Sequence, residues 1–380
     1  MKYEFHAQYP FAIKDAVIQA AAVEFLPHER AHPPYQWSEI AEIDDEWARL
    51  MILSQAIATA YKDQARIGTR RKSGGYKYWL ERRAEDFLNQ RYGELKALGL
   101  LKASSDNFIS LFPSGSWVIQ FTFTLCKPYI SRDDTDFYII DNPVKKEWVF
   151  KVPYVAPSQW KGALRAAMVR QLVEWWQDSD NPDRTPEEFA RRRFRQTLLF
   201  GDEKGEEPGS LKALARYLDE MGGQEAAQHY RCLVRRYFKA DADEPLPHYQ
   251  GRLHFYPTYF DRIGLEVINP HDRETGAGKW PIYFECVPQD AKGTFTLLYV
   301  PLSGDSDNEA QKDLRNVARG IYAMMTTYGF GAKTSSGFGV AKDEVEGGQL
   351  LFKEKEGERK RGFSTLRELI DKAKGGSDAF

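Results

Sequence analysis

Cysteine is scarce in this chain: three in 380 residues, Cys126, Cys232 and Cys286, far apart and in no Cys-X-X-Cys pair. That usage gives no disulfide framework and no cysteine zinc cluster, fits a reducing cytosol, and leaves three small apolar residues suited to burial. Long apolar runs are missing as well. None approaches the ~20 residues of a membrane-spanning helix, and the first residues do not read as a signal peptide. The expectation is a soluble, cytoplasmic protein with no membrane partner. An excess of positive charge is also absent: Lys and Arg number 53 against 55 Asp and Glu, a formal net charge of −2. A general nucleic-acid coat is basic throughout, so a site for nucleic acid here needs cations gathered locally.

What remains is the composition of a packed globular chain, because 42% hydrophobic and 14% aromatic residues are too many for disorder. Residues 1–112 read mainly as helix: Ala16–Leu26, Asp44–Tyr61 with Trp47, Leu50, Met51, Ser54 and Ile57 at helical spacing, and Tyr76–Leu100. Between the last two, Arg66 to Trp79 interleaves cations with Tyr76, Tyr78 and Trp79, either a grip on a single strand or a solvated loop. Ser116–Cys126 alternates at period two and reads as a strand. Asp133, Asp134 and Asp136 follow, an Asp-rich turn or a divalent-cation site.

Ile139–Arg165 is the stretch around which the chain is organised. Asp141 precedes a Pro-containing turn, a β-branched and aromatic segment follows, and Ser158 stands at the head of an amphipathic helix that it can cap. Lys161 and Arg165, four apart, lie on one face of its first turns. A helix start with two cations on one face suits phosphate oxygens.

Further on, Thr185-Pro186 opens a helix carrying Arg191, Arg192, Arg193 and Arg195. That run neutralises phosphates or forms a solvated face paired with the acidic 202–207 loop. Ser210–Lys239 is one or two helices, and Gly251–Pro257 is a short strand. Leu265–Ile268 runs into a Gly-rich tip with His271 and Arg273, a shape suited to inserting between nucleotides; His271 is a general acid/base or a turn histidine. Ile282–Pro288 and Thr294–Val300 read as a second strand pair. Asp307–Tyr328 is a long amphipathic helix. It leads into Gly329, Gly331, Lys333, Thr334, Ser335, Ser336, Gly337 and Gly339, where glycines permit close backbone approach and the polar side chains supply donors. This is not a Walker A loop, since Ala332 precedes Lys333 and a helix comes before the loop, with a strand (338–342) after it. Past residue 344 the chain reads as a charged tail with one short helix near 364–374.

Two of these stretches together resemble the RAMP superfamily, the RNA-binding backbone subunits of type III CRISPR effector complexes. Ile140-Asp141-Asn142-Pro143, Lys146-Glu147, Pro153-Tyr154-Val155 and Lys161-Gly162-Ala163-Leu164-Arg165 keep the family's order and spacing. Ala156-Pro157-Ser158-Gln159-Trp160 departs from its usual Pro-Gly-Ser-Ser-Leu. The Gly-rich loop is similar to the family's Gly-X-Gly-X-X-X-X-X-Gly-Phe/Tyr-Gly signature, and Leu199-Phe200-Gly201 is similar to its Leu-Phe-Gly. The resemblance implies an α+β fold with a ferredoxin-like or RRM-type core over 113–343, carrying a helical insertion at about 171–250. A helical N-terminal extension (1–112) and the charged tail (344–380) flank it. It further implies guide CRISPR RNA and complementary target RNA as ligands, and as partners other RAMP subunits and the large polymerase-like subunit of such a complex. Asp141 matches the residue that cleaves target RNA in active members, with a divalent metal ion (Mg or Mn) for which Asp141 is the candidate ligand. The alternative is a scaffold or end-capping subunit that binds guide RNA without cutting.

Overall fold

The computed structural model describes residues 15–28, 43–69, 74–101, 108–133, 138–202, 213–241, 249–269, 281–302 and 307–374. The alternating stretch read as a strand forms β1 (Trp117–Leu125), the middle strand of a five-stranded sheet. β7 (Lys292–Tyr299) and β8 (Ala341–Glu354) pair with it on either side, both antiparallel. β3 (Leu253–Phe255) joins the far edge of β7, and β9 (Gly357–Thr365) joins β8, giving the order β3-β7-β1-β8-β9. Helix α6 (Pro157–Gln177) lies between β1 and β3 in the chain, and α9 (Asp307–Ala323) lies between β7 and β8. Strand, helix, strand, strand, helix, strand, with the first and third strands central, is the ferredoxin-like arrangement the sequence leads one to expect.

The period-two pattern decides where the core sits. Trp117, Ile119, Phe121 and Phe123 point to one face and are buried against Trp160 and Leu164 of α6 and Leu314, Val317 and Ile321 of α9. Each such side chain contributes about 1.5–3 kcal/mol by leaving water. Gly320 lets α6 and α9 approach, since a Cβ there would sit 2.6 Å from Met168 Cγ. On the other face Val118 packs with Ile109, Leu298 and Leu351, while Gln120–Thr296 and Thr122–Thr294 form cross-strand polar pairs at 2.9 Å.

The insertion is α7 (Pro186–Phe200) and α8 (Ala213–Phe238), kinked at Gly223. Thr185 caps α7 by accepting from the Glu188 amide at 3.2 Å, with Pro186 in the first turn, as the sequence indicates. At the N-terminal side lie α1 (Ala16–Phe25), α2 (Glu46–Leu53), α3 (Lys62–Ile67), α4 (Gly75–Arg82) and α5 (Ala84–Ala97). The single helix read over 76–100 is two, broken at Arg83. Trp47, Trp79 and Phe87 from these helices belong to the same buried cluster as the sheet, joined through Tyr138, whose ring stacks on Trp47 at 6.1 Å.

Two further expectations change. Ile282–Cys286 (β6) pairs with β5 (Gly264–Ile268) in a two-stranded ribbon of its own, and β7 instead enters the main sheet. A turn at Pro288–Asp290, where Asp290 has φ +62°, separates the two destinations. The charged stretch after 344 is no tail: β8 runs to Glu354 and returns as β9, and α10 (Leu366–Ala373) packs back on the sheet. Val345, Leu350, Phe352 and Phe363 face inward there, while the charges occupy the solvent side of an edge strand, where they discourage pairing with another chain.

Candidate nucleic-acid interface

After α9 the helix widens to a π-turn over Met324–Tyr328, and the chain leaves it at Gly329. Gly329, Gly331, Lys333, Gly337 and Gly339 all have positive φ. At three of them only glycine fits: a Cβ on Gly339 would lie 1.9 Å from the Phe330 carbonyl oxygen, one on Gly331 2.5 Å from that of Ile130, and one on Gly329 2.7 Å from that of Phe338. The loop closes on itself through Phe330 N–H to Gly339 O (3.0 Å). It is fastened to the exit of β1 through Ala332 N–H to Ile130 O (2.7 Å) and Gly339 N–H to Pro128 O (2.8 Å). Lys333, Ser335 and Ser336 are exposed on its outer side, and Thr334 is half-buried.

The head of α6 is built against this loop. Trp160 is fully buried, its ring 4.5 Å from Phe330, and its indole N–H donates to Thr258 Oγ1 at 3.0 Å. Tyr129 donates its hydroxyl to Gln159 Oε1 at 2.9 Å and packs on Phe330 at 5.5 Å. Two motifs about 170 residues apart in the chain therefore share one aromatic core. Ser158 does not cap the helix. Pro157, with its fixed φ, opens α6 two residues earlier than a Ser158 cap would, so Ala156 takes the cap position and Ser158 lies exposed within the first turn. Arg165 is a clamp rather than a free cation: it donates to the carbonyls of Gly201 (3.0 Å) and Asp202 (3.4 Å), holding the end of α7. Lys161 is half-buried near His254 of β3; burial, then the Lys161 ammonium, lowers that imidazole below its ordinary value.

The Asp141 loop completes the region. Ile139 and Ile140 are buried, and the Asp141 side chain is 57% exposed. Arg66 of α3, itself buried, donates Nε to the Ile139 carbonyl at 2.7 Å and pairs with the Asp141 carboxylate. Lys62 Nζ stands 4.0 Å from the same Oδ1. Asn142 bridges to Phe284 of β6, and the Lys333 ammonium lies 5.0 Å over the Phe284 ring. Phe284 thus lies between the Asp141 loop and the Gly-rich loop. Beneath it, Glu285 is fully buried and accepts from Tyr76, Tyr138 (2.7 Å), the Val144 amide (2.9 Å) and Lys146. Burial, then the Glu285 charge, pushes both phenols well above their ordinary value. Sequence reading missed Glu285; the signal was a lone carboxylate inside the otherwise apolar strand Ile282–Cys286.

The cation-and-aromatic stretch serves this scaffold too. Arg66, Tyr76 and Trp79 are buried and cannot offer themselves to a strand. Of the arginine run, Arg193 pairs with Asp219 (2.5 Å) and Arg195 with Asp313 (2.6 Å), whereas Arg191 and Arg192 are exposed. His271, Arg273, Asp134 and Asp136 lie outside the described residues. As for metal, Asp141 belongs to no group of three ligating side chains among the described residues; the one such group is Glu187, Glu225 and His229 on the insertion. A carboxylate shared by a guanidinium and an ammonium is a poor donor set for a divalent cation, so the residues present at Asp141 do not fit one.

Among known proteins, no curated protein matches the chain. Similar solved structures include a chain of the type III-B Cmr-beta complex bound to cognate target RNA, by cryo-EM. It is 12% identical, covering 87% of this chain and 98% of that one, at a TM-score of 0.38. Cmr6 from Pyrococcus furiosus is 18% identical, covering 60% of this chain and 99% of its own, at a TM-score of 0.29. Both likenesses are distant. No described helix is long and apolar enough to cross a membrane. The RAMP superfamily model matches residues 122–342, more than half of the chain and the span that runs from β1 through the Gly-rich loop, and the chain belongs to that superfamily.

Proposed function

We propose that this chain is an RNA-binding subunit of a type III CRISPR RNA-guided effector complex, with guide RNA held along the head of α6 and the Gly-rich loop. The observation that carries the reading is the Trp160–Phe330 contact, which seats that loop on the first turn of α6. The loop's exposed Lys333, Ser335 and Ser336 supply donors of the kind that hold phosphates in register, while sequence choice is left to base pairing. Other RAMP subunits and a large polymerase-like subunit are the partners this role requires.

Asp141 is the residue we assign to cutting complementary target RNA. An exposed carboxylate beside a splayed nucleotide can take the proton of a ribose 2′-OH as that oxygen attacks the adjacent phosphorus in line. The P–O5′ bond breaks, leaving a 2′,3′-cyclic phosphate and a 5′-hydroxyl that takes its proton from water. Lys62 and Arg66 next to it would offset charge gathering on that phosphate. In a reconstituted complex, Asp141→Ala should keep guide RNA and assembly and slow cleavage by ~100-fold or more, measured on end-labelled target RNA. Undiminished cutting removes Asp141 from the mechanism. A second reading, a subunit that binds guide RNA without cutting, is favoured by the Arg66 ion pair that occupies the carboxylate. It requires that the wild-type complex leave target RNA intact with or without Mg or Mn.

A further inference from the structure

A second concentration of positive charge lies away from the Gly-rich loop, in the cleft where the insertion helix α7 faces α9. Lys312, Arg315 and Arg319 form an exposed stripe along α9 at positions i, i+3 and i+7, about 10 Å long at 1.5 Å per residue. Arg191, Arg192 and Arg195 of α7 line the opposite wall of a space of about 570 Å³. Glu188 is the one carboxylate on that lining, and it is already engaged by Arg192 at 2.9 Å and Arg191 at 3.7 Å. Arg315 donates to the Lys374 carbonyl at the end of α10 and keeps its charge, and among the described residues no carboxylate pairs with Lys312, Arg315 or Arg319. Six cations around one cleft, offset by Glu188 and by the Asp313 carboxylate on Arg195, leave it net positive in a chain of net charge −2 and suited to an anion.

The cleft continues, through Arg192, Arg195 and Arg319, into a second space of about 490 Å³ with a different character. Its lining includes half-buried Trp175, whose ring lies 4.0 Å from the Arg192 guanidinium, the apolar Met168 and Leu172, and the acceptors Glu174 and Asp178. One end therefore suits phosphates. The other offers an aromatic surface with carboxylates that can accept from exocyclic amines. An acidic peptide would satisfy the first end and be repelled by the second, whereas a nucleotide carries both chemistries.

We propose that this α7–α9 cleft is a second RNA site, binding consecutive phosphates of a single strand along the cationic wall with a base beside Trp175. It is separate from the guide-RNA surface proposed above and rests on none of its residues. The test is anisotropy of the full chain with a 5′-fluorescein oligouridine 12-mer over a potassium chloride series. Lys312→Ala/Arg315→Ala/Arg319→Ala should weaken binding by at least ~10-fold and flatten the log–log salt slope by about 2, as three fewer counterions are released. Arg191→Ala, on the facing helix, should move both in the same direction. These losses should persist in a Lys333→Ala background, which separates this site from the Gly-rich loop. Folded variants (unchanged circular dichroism and melting) with wild-type affinity and slope would overturn the proposal and leave the guide-RNA surface standing. A labelled polyglutamate peptide bound as tightly as the RNA would overturn it as well. An effect of the cleft variants with none from Lys333→Ala would uphold it against the guide-RNA reading.

Discussion

Glu285 is a carboxylate with no access to solvent. A fully buried carboxylate is tolerable only because Lys146, two phenols and the Val144 amide converge on it. Glu285→Gln keeps the shape but leaves the buried Lys146 ammonium without its counter-charge. The expected loss is about 3–5 kcal/mol, read from the midpoint of urea unfolding. An unchanged midpoint would mean that the network is not formed. Its neighbour Cys286 is buried, and burial, then the charges of Glu266 and Glu285, pushes its thiol up to about 12. Cys126 and Cys232 are exposed. Ellman's reagent should therefore find two thiols in the native protein at pH 8 and three after denaturation. The sign for stability follows from linkage. Above the ordinary thiol value of about 8.5 the unfolded chain has lost a proton that the folded chain still holds, so stability falls as pH rises between there and about 12.

Among the elements, the Gly-rich loop was legible in the sequence because its constraint is local: glycines at positive φ mark themselves by type and spacing. Their individual weights were not, since these depend on what each backbone touches. Gly339 faces the Phe330 carbonyl at 1.9 Å from a would-be Cβ, whereas Gly337, equally left-handed, has open space around it. Gly339→Ala should distort the loop and abolish its share of RNA binding. Gly337→Ala should cost about 1 kcal/mol, with binding nearly intact. Thermal melts and RNA titration of the pair test this, and equal effects would contradict the loop geometry. Helix α6 was read two residues late for a related reason: Pro157 sets the start by its own fixed φ, and the cap falls on Ala156 rather than Ser158. Arg165 and Arg66 look the same in sequence as free cations. Only partners more than 35 residues away, Gly201 for one and Asp141 for the other, give them structural roles.

On the scale of the whole molecule, the α+β order was legible because hydrophobic period distinguishes β1 from α6 and α9 without knowledge of contacts. The edges were not. β8 and β9 are rich in charge, so their composition reads as a tail although Val345, Leu350, Phe352 and Phe363 pack inward. The N-terminal helices read as an extension, yet Tyr76, Trp79 and Arg66 enter the core and the Asp141 loop, which makes residues on both sides of 112 part of one buried cluster. The account as a whole turns on where a strand of RNA lies. Guide RNA substituted with 4-thiouridine, bound to the full chain, irradiated and mapped by mass spectrometry of the adducts, answers this most directly. Adducts should fall in 158–161 and 329–339, with Asp141 on a neighbouring peptide. Adducts confined to α1, α2 and α5, with none on the Gly-rich loop, would contradict it.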